Sequence, residues 1–188
     1  MQNNLPHFYE KIQGWFDFQG LYTRVVNEAL NDSKFVEIGS WRGKSSAYMA
    51  VEIKNSSKNI SFYCVDTWEG SKEHKKMVCV KHNTLFNEFI ANIKPVEDII
   101  TPIKMDSLQA ALTFEDNSLD FIFIDASHDY KSVKQDLEAW YPKLKPTGVF
   151  AGHDYTWGDV KGAVDEFSLN NNLSVEVDNV SWILVKKH

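Results

Sequence analysis

Five short, almost wholly apolar runs recur along this chain with helical patterns between them, and that alternation leaves few folds open. The runs occupy residues 35–38, 60–65, 99–105, 119–124 and 148–151. A strand that is apolar at nearly every position, and not at every second one, is covered on both faces, which is the condition of a parallel sheet flanked by helices. Helical spacing predicts helices over 46–53, 84–93 and 159–169, the last through Val160, Ala163, Val164 and Phe167. Another is expected over 132–144, with Val133, Leu137, Trp140 and Leu144 on one face and Pro142 bending or ending it. The rhythm changes at residues 173–177 and 181–185, which alternate in polarity and are separated only by Asp178-Asn179-Val180. So short a connection makes them antiparallel, because a parallel pair needs a long crossover. The pattern therefore predicts an α/β fold with a doubly wound, mostly parallel sheet closed by an antiparallel C-terminal hairpin.

At 188 residues the chain suits one domain, 1–188, with residues 1–33 as an N-terminal helical flank. A helix carrying Leu21, Val25, Val26, Ala29 and Leu30 is expected there, with Trp15, Phe16 and Phe18 ahead of it as packing residues, the alternative being ligand contacts. Two cysteines, Cys64 and Cys79, lack metal-type spacing and fit a reducing cytoplasm. Met1-Gln2-Asn3-Asn4-Leu5-Pro6 does not read as a signal segment, and no apolar stretch approaches the roughly 18 residues of a membrane span. A soluble protein without a membrane partner is expected. The net charge of −6 argues against a nucleic-acid partner. Lys72, Lys75, Lys76 and Lys81 form the one local basic excess, a solvated face or a contact for something anionic. Nothing in the pattern sets an oligomeric state.

The first strand runs into Gly39-Ser40-Trp41-Arg42-Gly43 and then a helix start. Gly39 and Gly43 let backbone approach a ligand where a β-carbon would collide, and the helix that follows offers unpaired amides. The spacing is neither the GxGxxG dinucleotide fingerprint nor a phosphate-binding GK[ST] loop. On its own it fits a tight turn as well as a cofactor cradle.

Ligands of open α/β sheets bind beyond the carboxyl ends of the strands, and here those ends are acidic: Glu37, Asp66, Asp106, Asp125 and Asp154 follow or close the five apolar runs. One such carboxylate caps a turn; five on one rim call for a polyhydroxylated or cationic ligand, or a metal. Asp66 stands where a carboxylate chelates ribose hydroxyls, or caps its turn. Asp106 and Ser107 meet a base edge, or Ser107 caps the following helix. His128, three residues after Asp125, is a suitable general base, or a structural surface histidine, and the reading makes it the only histidine placed beside Asp125. His153-Asp154 brings a second carboxylate toward Asp125, and the two could share a hard divalent cation such as Mg2+ or simply cap turns.

At this point the chain resembles the class I S-adenosylmethionine-dependent methyltransferases, in particular the small O-methyltransferase-like group with catechol, sugar and macrolide enzymes. The resemblance covers nearly all of residues 34–186 and rests on 36–43 (VEIGSWRG), 65–68 (VDTW), 123–130 (FIDASHDY) and 145–155 (KPTGVFAGHDY). It implies a Rossmann-like, seven-stranded sheet with its last strand pair antiparallel, and S-adenosylmethionine as cofactor. By the same resemblance Glu37, Gly39, Ser40 and Gly43 surround the methionine part, Asp66 with Thr67 and Trp68 the ribose, and Asp106 and Ser107 the adenine, with Trp41 and Asp125 also among the cofactor-binding residues. Asp125 lies near the transferred methyl group or binds metal with Asp154, and His128 takes the acceptor's proton. Two departures stand out. Trp41 replaces the middle glycine of the commoner motif, and Tyr155 stands where metal-dependent relatives carry asparagine or an acid.

The expected function is methyl transfer to a hydroxyl of a small molecule or sugar. Two alternatives are a nucleotide-cofactor oxidoreductase on a Rossmann-like sheet, disfavoured by the missing GxGxxG, and a cofactor-binding module without catalysis, disfavoured by His128 beside Asp125. The stretch 68–82, rich in Lys, His and Glu, is expected to form an acceptor wall or lid.

Overall fold

The computed structural model describes residues 4–71 and 74–187, so the expectations placed on Met1 to Asn3 and on Lys72 lie outside the described residues. Its seven-stranded sheet comprises β1 (Ser33–Ile38), β2 (Ile60–Asp66), β3 (Ile100–Lys104), β4 (Leu119–Ile124), β5 (Leu144–Gly152), β6 (Leu173–Asp178) and β7 (Ser181–Lys186). The spatial order is β3-β2-β1-β4-β5-β7-β6. The first five strands pair in parallel. β7 inserts between β5 and β6 and runs against both, so the expected hairpin is present and only its second strand opposes the rest. Pro102 is tolerated because β3 lies at the sheet edge, bonded to β2 alone.

Alternate side chains of the central strands feed two cores. Phe35, Phe62, Phe121 and Phe123 pack against α1 (Gln19–Glu28), α2 (Lys44–Ser56) and α4 (Leu85–Ile93), through Leu21, Tyr22, Met49, Ala50 and Phe89. On the other face Val36, Ile38, Ile122 and Ile124 meet α5 (Ser107–Ala111), α6 (Tyr130–Trp140) and α7 (Gly158–Asn170), through Ala110, Leu137, Trp140 and Val164. Both faces are covered, as the continuous apolar runs require.

Three local expectations are corrected. Pro142 ends α6 at Trp140 in a 3-10 turn over Tyr141–Lys143, so Leu144 leaves the helix face and opens β5 opposite Leu119. β5 thus starts four residues before the run 148–151, held there by Lys145 paired with Asp120 at 2.8 Å. α1 stops at Glu28, which leaves Leu30 exposed in solvent. Trp15, expected to pack, is 75% exposed and with Phe16 borders a large cavity, as the ligand-contact alternative has it, whereas Phe18 is buried and Phe16 packs edge-on against it. Between β2 and α4 lies α3 (Val78–Lys81), so the stretch 68–82 carries a helical turn of its own.

Candidate active site at the carboxyl end of the sheet

The strand order reverses direction between β2-β1 and β4-β5, and a cavity of about 980 Å³ opens at the carboxyl ends of those strands. That volume is at the upper end of the roughly 300–1,000 Å³ common for small-molecule sites.

One end is built by the turn after β1. Gly39 has φ +92°, and a Cβ there would lie 1.9 Å from the Asp125 carbonyl oxygen, so the ends of β1 and β4 touch through backbone. The Asp66 carboxylate organises the turn, accepting from the Trp41 amide at 2.8 Å and the Trp68 amide at 2.7 Å. Burial pushes its pKa up while these amides pull it down. A carboxylate offers about four acceptor positions, so capping and ligand binding are compatible at Asp66. Trp41 stands in the left-handed region at φ +48°, with its ring 4.2 Å from that of His74.

Gly39, Ser40, Trp41, Asp66, Thr67, Asp106, Ser107, Asp125, His128 and Asp154 all border the cavity; Glu37, Gly43 and Trp68 do not. Glu37 lies beneath the turn, fully buried, accepting from Tyr22 Oη at 2.7 Å and from Ser46 Oγ. Burial raises its pKa against the pull of those hydroxyls. Gly43 has φ +82°, and a Cβ there would sit 2.9 Å from Ile93 Cγ2, so it seats α2 on α4. Trp68 is buried and donates from Nε1 to the Trp41 carbonyl at 2.8 Å. Residue type and strand-end position do not separate a residue that lines a cleft from one that supports its floor.

The cap of α5 is Asp106 and not Ser107, a correction to the expectation: Asp106 accepts from the Leu108 and Gln109 amides, while Ser107 is the first helical residue and its Oγ accepts from Trp140 Nε1 at 2.8 Å. Beside them Asp136, also on the cavity, is 5% exposed. Sequence reasoning passed over it, although a carboxylate among Val133, Leu137 and Trp140 on an apolar helix face is a visible signal.

Also on the cavity, ligand atoms of Asp125, His128 and Asp154 lie within 4.8 Å of one another. His128 Nε2 is 2.8 Å from Asp154 Oδ2, and its ring lies 4.6 Å from that of Trp157. His128 is not alone beside Asp125, which corrects the sequence expectation: His153 Nδ1 is 3.9 Å from Asp125 Oδ1 and 3.2 Å from Asp154 Oδ1. Burial disfavours the His153 charge, yet Asp154, Asp125 and Asp17 outweigh it and hold the imidazole at about 9. Asp125 is pushed up to about 6, first by burial and also by Asp154, against His153 and His128. Asp154 resists its own burial and stays well below the ordinary range because both imidazoles face it. Tyr155 points elsewhere, its hydroxyl 2.5 Å from Asp165 Oδ1.

A mostly parallel sheet with an inserted antiparallel seventh strand and a rim of acids over this cleft is the architecture of a methyltransferase domain. The chain belongs to that family: the family model described as a methyltransferase domain matches residues 36–155. Solved structures share the fold. The O-methyltransferase NovP is 17% identical, with 90% of this chain and 79% of that one aligned at a TM-score of 0.70. A caffeoyl-CoA O-methyltransferase, so described as putative, from Staphylococcus aureus is 16% identical over 95% and 87% of the two chains, with a TM-score of 0.62. The Podospora anserina methyltransferase PaMTH1, solved with S-adenosylhomocysteine bound, is 13% identical over 95% and 92%, with a TM-score of 0.57. A comparison with curated proteins gives no match.

Proposed function

We propose that this methyltransferase uses S-adenosylmethionine to methylate a hydroxyl of a small molecule or sugar, with His128 as general base. The observation that carries the reading is the His128–Asp154 pair, 2.8 Å apart, bordering the same cleft as the acids that suit a nucleoside. Gly39, Ser40 and Trp41 would hold the amino-acid part of the cofactor, Asp66 and Thr67 the ribose, and Asp106 and Ser107 the base. Glu37, Gly43 and Trp68 act at one remove, by fixing the turn. The donor set fits such a group: carboxylates for hydroxyls and a cationic centre, with apolar Ile38 and Val65 between them. When bound, S-adenosylmethionine supplies a methyl carbon activated by its sulfonium. The protein aligns the acceptor oxygen and takes its proton at His128, whose imidazolium Asp154 stabilises.

A second reading is favoured by the packing of three ligand atoms within 4.8 Å: Asp125 and Asp154, with His128, would hold a divalent cation such as Mg2+ that binds the acceptor hydroxyl. The His153 cation already facing both carboxylates supports the metal-free reading. Titration of Mg2+ and chelator into the assay separates the two. We also read residues 1–188 as one domain with a helical flank at 1–33, working in the cytoplasm on a small acceptor without nucleic-acid or membrane partners. No helix among the described residues is long and apolar enough to cross a membrane.

Calorimetric titration with S-adenosylhomocysteine tests the cofactor, and a folded sample that does not bind it ends the proposal. Labelled S-adenosylmethionine offered to pools of phenols and glycosides, read by mass spectrometry, identifies the acceptor. His128→Ala is then expected to lower turnover roughly 100-fold or more with cofactor affinity retained. A nicotinamide fluorescence titration checks the oxidoreductase alternative, and an Asp125→Ala variant with unaltered behaviour would favour a binding module.

A further inference from the structure

We propose that Asp17, which lies outside the stretch matched by the family model, is a positioning residue of the active site: it fixes the His153 ring and, through Asp154, the general base His128. The catalytic meaning of this inference rests on the function proposed above; the linkage itself is read from geometry. Asp17 Oδ1 is 2.7 Å from His153 Nε2, and Asp17 Oδ2 accepts from Asn179 Nδ2 at 3.1 Å, so both oxygens of the carboxylate are engaged. The other ring nitrogen, His153 Nδ1, faces Asp154 Oδ1 at 3.2 Å, and Asp154 Oδ2 meets His128 Nε2 at 2.8 Å. Acids and imidazoles thus alternate from the N-terminal segment to the candidate base: Asp17, His153, Asp154, His128.

Asp17 and Asp154 thus face the two nitrogens of one ring, which holds the imidazole from both sides. A ring held this way is a clamp for Asp154. The segment that carries Asp17 has its own anchors. Arg42 Nη1 donates to Gln13 Oε1, Lys44 Nζ donates to the Gly14 carbonyl at 3.1 Å, and Phe16 packs on Phe18 with centroids 4.7 Å apart. Loss of the Asp17 carboxylate therefore leaves the segment docked, and positioning can be told from docking.

The test uses full-length protein labelled with 15N-histidine at neutral pH, with ring signals assigned through His128→Gln and His153→Gln. Asp17→Ala is expected to abolish the slowly exchanging His153 Nε2 proton and to shift the ring signals of both His153 and His128. Asp17→Glu is expected to restore that proton. Gln13→Ala, which loosens the same segment without touching the imidazoles, is expected to leave both rings unshifted. Should Asp17→Ala fail to fold, Asp17→Asn gives the same comparison in an isosteric side chain. Unshifted His153 and His128 rings in either Asp17 variant overturn the proposal, as do equal shifts in Gln13→Ala. S-adenosylhomocysteine titration of the unsubstituted protein is read separately, so a failed cofactor assignment leaves the ring measurements interpretable.

Discussion

Asp136 is a carboxyl group in a place where an amide would cost less. Burial pushes its pKa up to about 6, Asp106 and Asp129 add to the rise, and a hydrogen bond from Ser107 opposes it. The folded-state value is above the unfolded one, so the group's relative contribution to stability is full below about pH 4 and is lost as pH rises through about 6. Asp136→Asn is accordingly expected to stabilise the fold at pH 8, by on the order of 2–3 kcal/mol, and to give little difference at pH 4. Denaturant titrations at the two values check the sign; equal effects at both would remove the electrostatic explanation. Glu37 is likewise pushed up by burial, and the Ser46 and Tyr22 hydroxyls donate to it against that rise. Tyr22→Phe withdraws one of them from a fully buried carboxyl and is expected to cost about 1–3 kcal/mol, measured the same way.

Among the elements, two glycines of opposite kind give a paired prediction. Gly39→Ala forces a Cβ to within 1.9 Å of the Asp125 carbonyl in a left-handed backbone, so it should part the ends of β1 and β4 and weaken S-adenosylhomocysteine binding. A loss of about tenfold or more is expected, roughly 1.4 kcal/mol. Gly20 lies in α1, where an added methyl would meet nothing within 4 Å, and Gly20→Ala should stabilise by about 0.5–1 kcal/mol without touching affinity. The strands were legible because burial on both faces leaves unbroken apolar runs, and the strand-end acids Asp66, Asp125 and Asp154 were legible because they stop those runs. Leu144 was misplaced because its helical spacing continues past Pro142, and only pairing with Leu119 decides in favour of the strand. Asp17 was invisible: it belongs to no strand-helix unit, and tertiary folding alone brings it to a histidine 136 positions away. Glu37 and Trp68 were visible as part of the turn but not as its foundation, since inside and outside of a loop share one residue pattern.

For the molecule as a whole, a ligand that binds only the folded state must raise its melting temperature. At S-adenosylhomocysteine concentrations 100-fold above the dissociation constant the gain is about 2.7 kcal/mol, which for a chain of this size is a shift of roughly 5–10 °C. NADH at matched concentration should give none; a shift with NADH alone would move the protein to the oxidoreductase reading. The sheet order carries one further consequence. β1 pairs with β2 across a single crossover helix, α2, but its other partner is β4, with Phe35 opposite Phe121, more than eighty residues on. That distant pairing is what sets Gly39 against Asp125 and closes the cleft floor. Distant contacts of this kind form only after a large loop has been closed, so partly folded species can hold β1 and β2 together and still lack any floor. Ligand capture during refolding should then lag behind the gain of helical signal, which makes the cleft itself a clock for the last long-range step of folding.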